Sequence, residues 1–191
     1  MRTGLVETAL ASAEKFTYMI IRDAIEAAKT AGALIPFNPP LGWNSKPRAF
    51  LMTQRLAGQI TDGLTSTDAK RVDRWDRLRA DIANFVENGL MTWASMKWLD
   101  PHKYEHWEIK SRRPRPSLRI FGRFAEPNVF VGTHVIERTK LGEKWSLEWE
   151  LEKLACEEEW KRAMGDCLPF HGNSYEDYMT ENAYRFPEVP L

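Results

Sequence analysis

The sequence predicts an α+β protein with N-terminal helices, a small antiparallel sheet of about three or four strands, and a C-terminal helix packed on that sheet. Apolar residues recur at three-and-four spacing before Gly89 and again after Gly142, which is the period of an amphipathic helix. Residues from about 105 to 138 instead alternate with a period of two, which is the period of a strand. The length of 191 residues, with 43% hydrophobic and 28% charged residues, is typical of a folded domain.

The N-terminal half is predicted to be helical. A first helix is expected from Thr8 to Thr30, followed by an extended segment rich in proline. A short second helix is expected over Arg48–Ile60 and a third over Asp68–Glu87, where apolar residues form the clearest stripe of the chain. The segment Leu90–Leu99 is expected to add one or two helical turns.

The middle of the chain is predicted to hold three strands, around Trp107–Lys110, Leu118–Phe124 and Val129–Ile136. The four residues Ala125–Asn128 have the length of a hairpin turn, so the second and third strands are expected to be antiparallel neighbours. A helix over Ser146–Met164 is expected to pack on the sheet. Its apolar face is predicted from three tryptophans, one cysteine and three leucines: Trp145, Trp149, Trp160, Cys156, Leu147, Leu151 and Leu154.

Three segments follow from these patterns. They are an N-terminal helical extension (1–66), an α+β core (67–165) and an irregular acidic and aromatic tail (166–191). Six side chains are predicted to be buried: Phe16, Met19, Trp75, Ile82, Phe85 and Trp149.

Composition argues against several classes of protein. No apolar run approaches the roughly 20 residues of a membrane helix, and the N-terminus lacks the pattern of a secretory signal, so a cytoplasmic protein without a membrane partner is expected. Cys156 is expected to be a buried thiol. His102 and His106 stand four residues apart, but the glutamate of a zinc-binding HExxH motif is absent. Neither a metal site nor a cofactor is predicted.

Charge is unevenly distributed although the net charge is zero. Residues 102–144 hold ten Lys and Arg against five Asp and Glu, whereas residues 145–191 hold four against eleven. A basic middle can bind phosphates or pair with the acidic end of its own chain. We therefore expect acidic groups of the last helix or of the tail to lie against the basic strands. The alternative is that the tail covers apolar surface with its aromatic residues.

The stretch HWEIKSRRPRPSLRIFGRFAEPNVFVGTHVIERTKLG, followed by the acidic helix ELEKLACEEEWKRA, resembles the strand region of RelE/HigB-type toxins of toxin–antitoxin modules, in particular their phage-derived branch. The resemblance covers about residues 70–164. It implies a compact α+β fold with a small antiparallel sheet, metal-independent cleavage of messenger RNA on the ribosome, and an antitoxin as partner.

The resemblance also implies which residues would act. Cations would hold the scissile phosphate, and one group would accept the proton of the 2′-hydroxyl. His134 is the candidate for this acid–base role because an ordinary histidine pKa lies near neutral pH. The catalytic candidates are Lys110, Arg119, Arg123, His134 and Arg138, and the candidate phosphate-binding residues are Arg112, Arg113, Arg115 and Lys140.

Each assignment has a structural alternative. Arginines such as Arg119 and Arg123 also occur on any sheet with one solvated face, and His134 can be a hydrogen-bonded histidine of a strand. The SRRPRP segment (111–116) can be a solvated connection between strands. The alternative function is that of a non-catalytic phage or mobile-element accessory or assembly protein, which would use its eight tryptophans and aromatic tail for protein contacts.

Overall fold

A mixed sheet of six strands forms the centre of the protein and lies between two helical layers. The computed structural model describes residues 21–38 and 48–184. The strands are β1 (Leu34–Pro36), β2 (Ala49–Thr53), β3 (Met91–Thr92), β4 (Met96–Trp98), β5 (Trp107–Ser111), β6 (Leu118–Glu126), β7 (Val129–Glu137) and β8 (Ala183–Tyr184). The helices are α1 (residues 21–30), α2 (Gln54–Leu64), α3 (Ala69–Val86), α4 (Leu147–Met164) and α5 (Tyr175–Tyr178).

The strand order of the large sheet is β1-β2-β7-β6-β5-β4, and all neighbours are antiparallel except β2 and β7, which run parallel. Strands β3 and β8 form a separate two-stranded parallel sheet. The prediction of a small antiparallel sheet of three or four strands is therefore wrong. The predicted trio corresponds to β5, β6 and β7, and three further strands extend it on both sides.

Strand β2 was missed because of how it is buried. Its residues Phe50, Leu51 and Met52 are buried on both faces of the sheet, so the sequence shows a continuous apolar run that resembles part of a helix. The strand passes directly into α2 at Thr53. The Thr53 hydroxyl accepts a hydrogen bond from the Leu56 backbone N–H and donates one to the Thr133 carbonyl, which caps the helix and fixes the end of the strand.

The segment Leu90–Leu99 was predicted to be helical but contains β3 and β4. Both strands are too short for alternation to be distinguished from helical spacing. Met96 and Trp98 of β4 point into the core, and β4 forms one edge of the large sheet.

The two faces of the sheet have separate cores. One face packs against α2, α3 and the C-terminal segment (residues 170–184), around an aromatic cluster that includes Phe85, Phe124, Phe130, Trp107 and Tyr178. The other face packs against α1 and α4 through smaller clusters that include Ile25, Val131 and Trp160 on one side and Phe121 and Cys156 on the other. Helix layers on both faces explain why the strands are almost completely buried.

The C-terminal segment is part of the first core. Tyr175 and Tyr178 are 3% and 0% exposed, respectively. Buried Arg48 donates hydrogen bonds to the carbonyl oxygens of Phe85, Gly89 and Glu181, so it joins the end of α3 to the segment before β8. Among the residues predicted to be buried, Trp75, Ile82 and Phe85 are buried and Trp149 is partly buried, while Phe16 and Met19 lie outside the described residues.

Candidate functional site

Seven of the nine candidate residues lie at one end of the large sheet. This end is formed by the end of β5, the β5–β6 loop, the start of β6, and the end of β7 with the short 3-10 turn that follows it. Register places Lys110 opposite Arg119 and Leu118 opposite Glu137, and the Arg138 N–H bonds to the Ser117 carbonyl. We call this region the basic end; its candidates are Lys110, Arg112, Arg113, Arg115, Arg119, Arg138 and Lys140.

A buried carboxylate organises the inner part of the basic end. Glu108 is 3% exposed, and its Oε2 lies 3.1 Å from Nε of Arg119 while its Oε1 lies 3.8 Å from Nζ of Lys110. Burial raises the pKa of Glu108, and the charges of Lys110, Arg119, Lys97 and Arg138 act against this rise. Burial likewise lowers the pKa of Arg119. The Arg119 side chain is therefore fixed by Glu108 and is only 12% exposed, so it lies beneath the surface of the basic end and contributes positive charge there.

Lys110 is the titratable group of the basic end whose charge changes near physiological pH. Its Nζ donates a hydrogen bond of 2.6 Å to the Trp93 carbonyl and lies 5.7 Å from the centre of the Trp93 ring. Burial lowers the pKa of Lys110 to about 8; nearby Glu108 raises it, and Lys97, Arg112 and Arg119 lower it further. An amine with this pKa is partly neutral at pH 7 to 8 and can accept a proton.

Lys110 lines an open cleft of about 940 Å³. The cleft lies between the β5–β6 loop, the turn before β4 and the outer side of α3. Five cationic side chains and two carboxylates line it: Arg77, Lys110, Arg112, Arg113, Arg115, Asp73 and Asp81. Arg77 is bound to Asp81 with 3.2 Å between Nη2 and Oδ1, whereas Arg112, Arg113 and Arg115 are exposed on the loop. The cleft is thus a cationic surface that solvent reaches.

A second cleft of about 380 Å³ lies at the same end of the sheet, beside the start of β6 and the end of β7. It also carries both signs of charge: Arg55, Asp62, Arg71, Arg74, Glu137, Lys140 and Glu152. Arg74 lies 3.7 Å from Glu137, so part of this charge is paired within the protein. Lys140 is exposed, and it places cationic charge beside the second cleft.

Arg123 lies away from the basic end. It donates a hydrogen bond of 2.6 Å to the Tyr104 carbonyl, lies 3.8 Å from Glu157 of α4, and stacks on the Trp160 ring. Its side chain is 11% exposed. These contacts give Arg123 a role in attaching α4 to the sheet.

His134 is also held inside the protein. Its ring is completely buried and stacks on Phe121 at 5.2 Å, while its Nε2 lies 2.8 Å from Oε2 of Glu152 and its Nδ1 lies 3.0 Å from Oγ1 of Thr133. The hydrogen bond from His134 lowers the pKa of Glu152. The structure therefore brings His134 to α4 and separates it from the cleft that Lys110 lines.

Helix α4 supplies acidic groups to the sheet. Glu152 contacts His134, and Glu157 contacts both Arg123 and His106. The C-terminal segment instead packs on the opposite face, where Tyr175 and Tyr178 enter the core. Charge pairing with the basic strands thus comes from the helix, while the C-terminal segment covers apolar surface.

Sequence reasoning missed Glu108, Arg77 and Asp81. Glu108 is recognisable in the sequence only as a polar residue of an alternating strand, and its burial depends on the tertiary packing around β5, including the neighbouring strands β4 and β6. Arg77 and Asp81 are far from the arginine loop in sequence, and the fold brings α3 to it. Their spacing of four residues on a helix indicated an ion pair, but nothing in the sequence indicated that this pair lines a cleft.

His102 and His106 do not share a metal site. His102 stacks on Trp98 and lies 3.2 Å from Asp100, whereas His106 lies 3.1 Å from Glu157 and is 2% exposed. Across residues 21–38 and 48–184, no group of three or more His, Cys, Asp or Glu side chains has the arrangement of a metal site.

No family model and no curated protein sequence matches this chain. Within the part of the chain that the structure describes, every helix is too short or too polar to cross a membrane.

Proposed function

We propose that this protein binds the phosphate backbone of RNA at the basic end of its sheet. The observation that carries the proposal is the cleft of about 940 Å³ that Lys110, Arg77 and three exposed arginines of one loop line together. Phosphates attract clustered cations and release counterions when bound. The loop arginines are exposed, so a chain of nucleotides reaches them without a change of fold.

The position of Lys110 supports cleavage of the bound RNA. A neutral Lys110 amine would accept the proton of a ribose 2′-hydroxyl, whose oxygen then attacks the adjacent phosphorus. The bond from phosphorus to the 5′-oxygen breaks, a 2′,3′-cyclic phosphate forms, and the leaving 5′-oxygen takes a proton from water. The loop arginines would stabilise the charge of the phosphorane in this reaction. We therefore propose a metal-independent endoribonuclease in which Lys110, and not His134, is the base.

The test separates binding from cleavage. Labelled RNA is incubated with the protein in excess EDTA, beside a strand of the same sequence with 2′-hydrogens and beside the variant Lys110→Met. We expect cleavage of RNA only, no cleavage by Lys110→Met, and binding of all strands by both proteins. Binding without cleavage by the wild type would refute the nuclease, and absence of binding would refute the whole proposal.

Because the chain resembles toxins of toxin–antitoxin modules, the proposed nuclease activity also predicts an effect on the growth of a cell. A messenger RNA nuclease of this type arrests growth when it is produced without its antitoxin. We expect induction of the wild-type chain in a bacterial host to stop growth and induction of Lys110→Met at equal protein level to leave growth unchanged. Equal growth with both proteins would contradict the toxin interpretation while leaving RNA binding in vitro open to its own test.

The second candidate function, a non-catalytic accessory or assembly protein, is favoured by one specific observation. Leu147, Leu151 and Leu154 of α4 are 70%, 53% and 55% exposed. Exposed apolar residues in a row are typical of protein-binding surfaces. This surface does not include any residue of the basic end, so RNA binding and protein binding can be tested separately.

A further inference from the structure

Helix α4 presents a row of leucines to solvent on the side that faces away from the sheet. We call Leu147, Leu151 and Leu154 the leucine seam. Steps of four and three residues place them on one line of a helix, and the opposite side of α4 carries buried Cys156 and Trp160. The exposure of these leucines corrects the prediction that they belong to the buried face of the helix. Their exposure leaves an apolar line without cover from any described part of this chain.

The spacing of the seam is that of a coiled-coil interface. Leu147, Leu151 and Leu154 occupy successive d, a and d positions of a heptad. The flanking e and g positions within the helix are Glu148, Glu150, Ala155 and Glu157. Three of these four are acidic. The next a position is Glu158, so the seam ends there and spans about two turns of helix.

The acidic flanks keep a net negative charge beside the seam. Hydrogen bonds from Ser146 and from its own backbone lower the pKa of Glu148, which therefore stays ionised at neutral pH. Glu150 pairs with Lys153 at 2.7 Å and Glu157 contacts His106 and Arg123, yet the side chains of both glutamates remain 49% and 39% exposed. A helix that approaches the seam meets these carboxylates on both sides.

This charge pattern disfavours two occupants. A second copy of α4 in antiparallel pairing would place glutamate against glutamate, because e positions then face e positions and g positions face g positions. In parallel pairing, Glu150 would face Ala155 and Glu157 would face Arg162, which already pairs with Glu159, so no unpaired cation meets the glutamates. An anionic membrane surface would be repelled by the same carboxylates. A helix with an apolar face and basic flanks would cover the leucines and pair its cations with the glutamates beside them.

We propose that the leucine seam binds an amphipathic helix of another protein that carries apolar residues at its own a and d positions and Lys or Arg at its e and g positions. The apolar contacts supply attraction, and the charges select the partner.

The probes are two synthetic peptides of three heptads with Leu at a and d, one with Lys and one with Glu at e and g. Fluorescence anisotropy measures the binding of each to the full chain. We expect the Lys peptide to bind at least about tenfold more tightly than the Glu peptide. We expect Leu151→Ser to reduce its affinity at least about tenfold. Leu168→Ser is the matched control, because Leu168 is 83% exposed and lies outside the seam, and it should bind like the wild type.

Several outcomes would overturn the proposal. Equal affinity for the two peptides would show that the glutamates beside the seam do not select the partner by charge. Unchanged binding of the Lys peptide by Leu151→Ser would show that this peptide binds an acidic surface elsewhere. A wild-type dimer in light scattering that Leu151→Ser abolishes would assign the seam to a second copy. Binding to vesicles of anionic lipid that Leu151→Ser abolishes would assign it to a membrane. Thermal unfolding followed by circular dichroism confirms that both serine variants are folded.

Discussion

The imidazole of His134 and the carboxylate of Glu152 form a contact of 2.8 Å between β7 and α4, in a position where the ring is completely buried. The second ring nitrogen contacts the Thr133 hydroxyl, so both nitrogens have polar partners within the protein. A histidine held on both sides and stacked on Phe121 joins α4 to the sheet. The contact between His134 and Glu152 therefore stabilises the fold and takes no part in RNA binding.

His134→Ala should destabilise the protein without changing its binding of RNA. The variant leaves the partly buried Glu152 without its partner and opens a cavity beside Phe121, which together should cost about 2–4 kcal/mol of unfolding free energy. Urea denaturation measures the loss, and filter binding measures RNA affinity. Glu152→Gln is the milder control, because an amide oxygen still accepts a hydrogen bond from the ring. A large loss of RNA affinity in a folded His134→Ala protein would contradict this prediction and would show that His134 takes part in RNA binding.

Cleavage of RNA should increase with pH through about 8 and then level off. The active form of a general base is the neutral form, and burial lowers the pKa of Lys110 to about 8 in the free protein. The value of kcat/KM, measured between pH 6 and 9.5 in EDTA, reports the ionisation of the free protein. A rate that is independent of pH across this range would contradict the role of Lys110.

Acid should destabilise the protein through His106. Burial lowers the pKa of His106 to about 3 from its ordinary value of 6.5, with smaller contributions from Arg123 and Lys153. The unfolded chain therefore binds a proton that the folded protein does not, and stability present above pH 6.5 is lost as the pH falls toward 3.

Between pH 7 and 5, wild-type protein should lose on the order of 2 kcal/mol more unfolding free energy than His106→Gln does. Urea denaturation of both proteins at several pH values supplies this difference, and the other histidines cancel in the comparison. Parallel losses in the two proteins would show that the Glu157 contact holds a proton on His106 in the folded state.

Phe85→Ala tests the packing of the larger core. Phe85 is completely buried, and its ring lies 6.0 to 6.3 Å from the rings of Phe50, Phe124 and Phe130. Truncation should cost about 3–5 kcal/mol, and chemical denaturation measures it. Phe37→Ala at the margin of the same core should cost less, because Phe37 is only partly buried. A loss below about 1 kcal/mol for Phe85→Ala would contradict the described core.

The parts of the fold that were predictable are those in which the sequence has one clear period. Strands β5 to β7 were located because Trp107 and Ile109 face one core while Glu108 and Lys110 face the other side. Helix α3 was located because its apolar stripe is continuous from Trp75 to Val86. Strand β2 lacked such a period because helices cover both of its faces, and the parallel pairing of β2 with β7 is a long-range contact without a local signal.

The buried face of helix α4 was predicted only in part from its apolar residues. Cys156 and Trp160 of the predicted apolar face are buried, but its three leucines are exposed, and Lys153 and Glu159 are buried in their place. Lys153 donates a hydrogen bond to the Asp100 carbonyl, so its burial depends on a loop that the helix sequence does not encode.

The arginine loop was predictable because Arg112, Arg113 and Arg115 are neighbours in sequence, between prolines that exclude a helix. The cleft that they line depends on α3, whose Arg77 and Asp81 reach the loop only through tertiary packing. The separation of His134 from Lys110 follows in the same way from the position of α4.

RNA binding at the basic end is tested most directly by the salt dependence of RNA affinity. This dependence is measured for the wild type and for a loop variant, Arg112→Gln/Arg113→Gln/Arg115→Gln. The control variant removes three exposed cations elsewhere and is Lys103→Gln/Lys161→Gln/Arg162→Gln. Both variants lose the same charge. The loop variant should bind at least about tenfold more weakly, and its slope of log affinity against log salt should be shallower by about 2 for a single strand, while the control keeps the wild-type slope. Equal losses in the two variants, or no measurable affinity in the wild type, would contradict RNA binding at the basic end.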